Sequence, residues 1–346
     1  MVGNGKRDGA VERAAQGVLT SGVWSKRTMS RFRTLFMKTD VWFGKAYWYR
    51  LCVLLVLPMM LCAAEEVQQP QATIRAEVSL VNVLFTAVDR NNRLVSGLKA
   101  SDFVLFEDNQ PQKIEYFSDL SKGSNVPLTI ALLIDTSGSV KNKLAFEKKT
   151  AAEFFSSILK RNRDLALIIQ FDSEVNLVQD FTDDANRLID ALNSIEAGNS
   201  TSLYDAIYLA VNEKLTGETG RKIIVVITDG DDTSSKLRKE AAIESAQKND
   251  VLIFGIGVRG EFGSNFGVLK KFAEETGGSF FSPHAELAEI QAAFRAISEE
   301  LQGQYSLAYS STNKKKDGSY RSIDLRCKLS GVRVRARKGY YARKEY

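Results

Sequence analysis

Four apolar runs restrict what this chain can fold into. The stretches "LTIALLID" (128–135), "LALIIQF" (165–171), "KIIVVITDG" (222–230) and "DVLIFGIGV" (250–258) are apolar at consecutive positions rather than alternate ones. Strands of that kind are buried on both faces, as in a parallel sheet covered by helices. Apolar residues at helical spacing follow them: Ala151, Phe155, Ile158 and Leu159; then Leu203, Ala206, Ile207, Ala210 and Val211; finally Leu287, Ile290, Phe294, Ile297 and Leu301. This alternation predicts an α/β fold, one doubly wound, mostly parallel sheet over residues 126–304.

The flanks follow another pattern. Residues 76–120 show short alternating runs separated by Asn-Asn, Ser-Gly and Asp-Asn-Gln-Pro turns, and residues 304–341 read as three further strands. Neither flank is large enough for a comfortable core of its own. We therefore expect one all-β sandwich built from the N-terminal segment, 65–125, and the C-terminal segment, 305–346, with the α/β domain inserted between them.

The first 64 residues read as a targeting region. Lys45 and Arg50 precede an apolar run from Leu51 to Leu61, and Cys62-Ala63-Ala64 ends it before a polar stretch. These are the parts of a secretory signal peptide over 37–64, cleaved before Glu65. Ala46 to Ala64 is the alternative, an uncleaved N-terminal anchor and the one expected tie to a membrane; Arg50 and Pro58 count against it. Residues 1–36 form an unstructured extension or a mis-assigned start, with translation beginning at Met37. The expected location is therefore outside the cytoplasm: periplasmic, cell-surface or secreted. Of the cysteines, Cys52 and Cys62 fall in the signal, so Cys327 alone remains and no internal disulfide forms.

Charge does not point to a nucleic-acid partner. Residues 1–64 hold 10 Lys and Arg against 3 Asp and Glu, leaving 37 against 39 beyond. The remainder is almost neutral, which gives no support for a nucleic-acid partner.

Ligand sites in open α/β sheets form beyond the carboxyl ends of the strands, where strand order reverses. Three loops there carry oxygen-bearing side chains. "DTSGS" places Asp135, Ser137 and Ser139 after the first strand, "EAGNSTSLYDAI" brings Ser200 and Thr201 before a helix, and "VITDGDD" brings Asp229. Two carboxylates and at least three hydroxyls, with no His or Cys, make a hard oxygen set suited to Mg²⁺, Mn²⁺ or Ca²⁺ rather than zinc. Each loop alone also reads as structure, with Ser139 and Thr201 as helix caps and Asp229-Gly230 as a turn. Asp205 reads as a first-turn helix acid rather than a ligand.

In order, spacing and context, "DTSGS", "STSLYDAI" and "VVITDGDD" resemble the three loops of the metal-ion-dependent adhesion site in von Willebrand factor type A domains. The resemblance implies that Asp135, Ser137 and Ser139 form the D-x-S-x-S motif, with Thr201 as the threonine and Asp229 as the second acid. Thr201 is preferred to Ser200 because the family's threonine stands five positions before the small residue matched here by Ala206. The flanks, with "VSGLKASDFVLFEDNQPQKIEYF" and "VRVRARKGYYA", resemble the bacterial von Willebrand type A related proteins of Acidobacteria. The implied function is an exported binding or adhesion module, not an enzyme. It would hold a divalent cation, Mg²⁺ first and Mn²⁺ or Ca²⁺ otherwise, and through it an Asp or Glu carboxylate of a protein partner. The alternative is an envelope structural or assembly protein, in which the metal stabilises the domain and the sandwich makes the contacts. The resemblance also suggests that the last helix, Ala285 to Leu301, shifts when coordination changes.

Rival motifs are weaker. "GIGVRG" (255–260) fits G-x-G-x-x-G, but the next helical pattern begins only near Phe266 and no suitably placed acid follows. Residues 229–240 start and end like an EF-hand loop, yet Ser234 stands where the bend needs Gly. Lys314, Lys315 and Lys316 read as a solvated hairpin loop. Arg333, Arg335 and Arg337 alternate along one strand, as on an exposed face. The single histidine, His284, has no nucleophile pattern near it, and Cys327 reads as a packed strand residue.

Overall fold

Strands from both ends of the chain bracket a central α/β segment. Before it come β1 (Leu80–Val88), β2 (Phe103–Glu107), β3 (Gln110–Gln112) and β4 (Tyr116–Asp119). The centre holds β5 (Leu128–Asp135), α1 (Leu144–Ile158), β6 (Leu165–Phe171), β7 (Val175–Thr182), α2 (Ala185–Ser194), α3 (Leu203–Leu209), β8 (Arg221–Thr228), α4 (Lys239–Lys248), β9 (Val251–Gly257), α5 (Phe266–Thr276), β10 (Phe280–Phe281) and α6 (Leu287–Gln302). After it follow β11 (Tyr305–Ser310), β12 (Tyr320–Cys327), β13 (Arg333–Ala336) and β14 (Gly339–Tyr341). This computed structural model describes residues 80–123, 125–198, 200–259, 264–283 and 287–345. The leader at 37–64 with Cys52 and Cys62, the start at Met37, His284 and Gly260 lie outside the described residues, all of which belong to the unit Ala76–Tyr346.

The central sheet runs β10-β9-β8-β5-β6-β7, parallel throughout except for the antiparallel edge strand β7. Alternate residues of β5 show why its apolar run is unbroken. Ile130, Leu132 and Ile134 enter one core with α1, α2 and α6, while Ala131 and Leu133 enter the other with α3, α4 and α5. The expected doubly wound sheet is therefore present, and β5 and β6 match their predicted spans. Sequence reading had missed β7, a bulged edge strand with only one buried residue, and α2, which Asp184 caps by accepting from Asn186 N at 3.0 Å. Helix α3 continues as a π-helical stretch, Ala210–Leu215.

The flanks interleave as expected, with four strands after the insert rather than three. One antiparallel sheet runs β13-β1-β11-β4 and the other β14-β12-β2-β3, so each takes two strands from either end of the chain. Val83 and Phe85, Phe103 and Leu105, Tyr305 and Leu307, and Ile323 and Leu325 fill the space between them. Buried Glu107 accepts from Tyr309, Tyr340 and Ser311 hydroxyls at 2.7, 2.9 and 2.5 Å, and Arg321 lies 3.6 Å away. That acid is fully provided for. Helix α6 is tied to the sandwich through Glu300, which accepts from Thr86 at 3.1 Å and from Ser279 at 2.8 Å.

One surface expectation needs correction. Arg337 is 8% exposed, pairs with Asp250 and donates to the carbonyl of Asn82, so the alternating arginines do not form one solvated face. Cys327 is a free, half-buried thiol against the sandwich core.

Candidate metal centre

The chain leaves β5 toward β6 on one side and reaches β8 on the other, so strand order reverses at the β5 and β8 pair. Asp135 ends β5, fully buried. Its Oδ1 accepts from Ser137 N at 2.8 Å, which bends the chain back over the strand end, and its Oδ2 accepts from Thr228 Oγ1 at 2.5 Å. Burial pushes this carboxyl up to about 6 and the nearby Asp229 charge adds to the rise, against the bonds from Thr228 and Ser137 that pull it down. Thr136 anchors the loop sideways, its N–H donating to Phe171 O at 2.9 Å.

Ser137 and Ser139 present their hydroxyls 3.1 Å apart, and Ser139 Oγ donates to Asp229 Oδ2 at 2.6 Å. Asp229 lies just past β8 and is 2% exposed. Gly230 makes that position reachable: its φ is +84°, and a Cβ there would stand 2.5 Å from Asn265 O. The close approach lets Asn265 N donate to Asp229 O at 2.8 Å.

Thr201 comes from the third loop, 4% exposed. Its carbonyl accepts from Thr233 N and Ser234 N, both at 2.9 Å, and its N–H donates to Thr233 Oγ1 at 3.0 Å. These bonds use backbone atoms of Thr201, so its hydroxyl is not what holds the loop. Direct hydrogen bonds thus link Ser139 with both Ser137 and Asp229, and Thr228 links β8 to Asp135. Thr201 is joined through the loop after Asp229.

Two further residues shape the site without having been singled out from sequence. Asp232 caps α3 from another loop, its Oδ1 accepting from Leu203 N at 2.8 Å and from Ser235 Oγ at 2.6 Å. Asp205 answers from the helix, its carboxylate accepting from Lys236 N and Leu237 N at 2.9 Å each. Asp205 is therefore a loop tie as well as a first-turn acid. The other is Glu147 on the first turn of α1, fully buried among apolar residues, where an acid in the helical stripe Leu144, Glu147, Ala151, Phe154 was the available signal.

The donor set fits a divalent cation. Among the described residues no Lys or Arg forms an ion pair with Asp135, Asp229 or Glu147, so these buried acids have no basic partner. No three His, Cys, Asp or Glu side chains converge at metal-ligand spacing among them either. A cation held here would take hydroxyl oxygens beside Asp135 and Asp229. Gly257 of "GIGVRG" serves packing instead, since a Cβ there would meet Phe266 at 2.8 Å and Phe280 at 2.9 Å.

An open, mostly parallel sheet with an oxygen-lined loop cluster at its switch point is the architecture of a von Willebrand factor type A domain. Residues 129–295 match the family model for the von Willebrand factor type A domain. A curated relative, an uncharacterized protein of Borreliella burgdorferi, is 27% identical over 183 residues, which are 44% of this chain and 53% of its own. The chain thus spans about half the length of that relative. BatB of Bacteroides thetaiotaomicron is 19% identical, with a TM-score of 0.42 over 51% of this chain and 99% of its own. Proximal thread matrix protein 1 of the mussel byssus, solved with a zinc-occupied MIDAS motif, is 16% identical, with a TM-score of 0.47 over 54% of this chain and 49% of its own.

Proposed function

We propose that this chain is an exported binding module that recognises an acidic group on a protein partner through a divalent cation. Asp135, Ser137, Ser139, Thr201 and Asp229 hold the cation, with Mg²⁺ favoured by the all-oxygen set and Mn²⁺ or Ca²⁺ as alternatives. The observation that carries this reading is the pair of buried acids, Asp135 and Asp229, set at the sheet's switch point beside two converging hydroxyls and without a basic partner. A divalent ion bound mainly by neutral oxygens stays electrophilic, and it supplies an open position that a carboxylate can fill. Nothing in the loops resembles a nucleophile with its base, which favours binding over turnover. Export rests on the leader pattern at 37–64. Among the described residues no helix is long and apolar enough to cross a membrane.

The test is capture of the protein on immobilised Asp- and Glu-bearing peptides, with their Asn and Gln counterparts as controls. Retention in Mg²⁺, release by chelator and no retention on the amide peptides would support the reading. Capture that survives chelator would move the contact to the β-sandwich and favour an assembly role.

A further inference from the structure

Glu147 is the one fully buried acid among the described residues to which no protein group donates. Asp135, Asp164, Asp229, Glu107 and Glu300 are also buried, and each accepts at least one hydrogen bond. Both carboxylate oxygens of Glu147 lack a donor. No basic side chain lies within ion-pair distance, although Lys143 one turn earlier acts on it from further away. Its position belongs to the apolar stripe of α1 that packs on the sheet, where Leu or Met would be the ordinary occupant. A buried acid with neither donor nor counter-ion is strongly unfavourable, and packing alone gives no reason to keep it. The like charges that act on it are those of Asp135 and Asp229, the two acids of the candidate centre.

We propose that Glu147 is a positioning residue of the cation site, a buried acid outside the ligand set that supplies negative charge once a cation is bound. This rests on the reading of that centre as a divalent-cation site. Glu147 is not itself a ligand in this account, because no three acids converge there. Its place on α1, the helix that follows the Ser137–Ser139 loop, makes the helix start and the cation mutually dependent. Burial first, and then the charges of Asp135 and Asp229, hold the Glu147 carboxyl well above the ordinary carboxylate range, and a cation at the centre would offset those charges. Outer groups of this kind characteristically set metal affinity without appearing in the ligand list.

The experiment is a calorimetric titration of Mn²⁺ into the chelator-stripped full chain, comparing wild type, E147Q, E147M and the S137A/S139A double variant, with melting curves in chelator. The expected result is one site in wild type, none in the double variant, and affinity lowered about tenfold in E147Q and E147M at unchanged stoichiometry. Both single variants should also melt higher than wild type in chelator, which a purely structural role would not produce. Wild-type affinity in a folded E147Q or E147M would overturn the proposal while leaving the cation site standing. No binding by wild type would overturn both, and failure of both variants to fold would assign Glu147 to structure alone.

Discussion

Ser139 and Asp229 stand 90 residues apart in sequence and are joined by a 2.6 Å hydrogen bond from hydroxyl to Oδ2. The bond fastens the loop after β5 to the loop after β8 at the carboxyl end of the sheet. Ser139→Ala leaves that Asp229 oxygen without its donor, so the metal-free chain should lose about 1–3 kcal/mol in urea unfolding. The same variant should bind the cation more weakly. Equal stability of the two proteins in chelator would mean the bond contributes nothing to holding the loops.

Gly230 sets where Asp229 points. Its φ of +84° and the 2.5 Å approach of a would-be Cβ to Asn265 O leave no room for a side chain. Gly230→Ala should cost about 1–3 kcal/mol through strain and displacement of the 264–266 backbone. Because the Asn265 N to Asp229 O bond lies in the same contact, cation affinity should fall with stability. Denaturant unfolding and calorimetry on one preparation test both effects.

Asp232 does the work of a helix cap from 29 residues away, where Ser202 beside α3 makes no side-chain cap. Asp232→Ala should therefore destabilise the fold by about 1 kcal/mol, with Asp232→Asn recovering most of it. Equal melting temperatures for wild type and the Ala variant would contradict this role. Thr201 hangs from the same loop through Thr233 and Ser234, so the Ala variant should also weaken cation binding.

Much of this was readable from sequence, and the exceptions lie where the local signal is weak or the partner is distant. Leu128–Asp135 and Leu165–Phe171 matched their strands because central parallel strands bury both faces and leave an unbroken apolar run. The sandwich was legible because turn residues punctuate its short strands. Strand β7 was not, because a half-exposed, bulged edge strand need not alternate cleanly. Asp232 and Arg337 act on partners far along the chain, Leu203 and Asp250, so no local pattern marks them. Glu147 left only an acid in an apolar stripe, which a surface helix tolerates at its margins.

Acid should probe the base of the same sheet. Asp164 is buried; burial raises its carboxyl, but bonds from the Arg163 guanidinium and from Leu128 N and Lys160 N outweigh that and hold it below 3.8. A carboxyl lowered by folding contributes stability that is present above 3.8 and lost as pH falls through its folded value. Asp164→Asn should cost roughly 2 kcal/mol at neutral pH, less than a fully buried pair because Arg163 is partly exposed. The gap between the two proteins should stay constant from neutral pH down to about 5 and close below about 4. A gap that widens in acid would reverse the assignment.

The central claim is that the three loops hold one divalent cation. Its most direct test is calorimetric titration of Mg²⁺, Mn²⁺ and Ca²⁺ into the chelator-stripped protein beside the S137A/S139A double variant, with folding of both checked by circular dichroism. The account predicts saturable one-site binding of at least one of these ions by wild type and its loss in the folded double variant. No saturable binding of any of the three, or undiminished binding by the double variant, would contradict it.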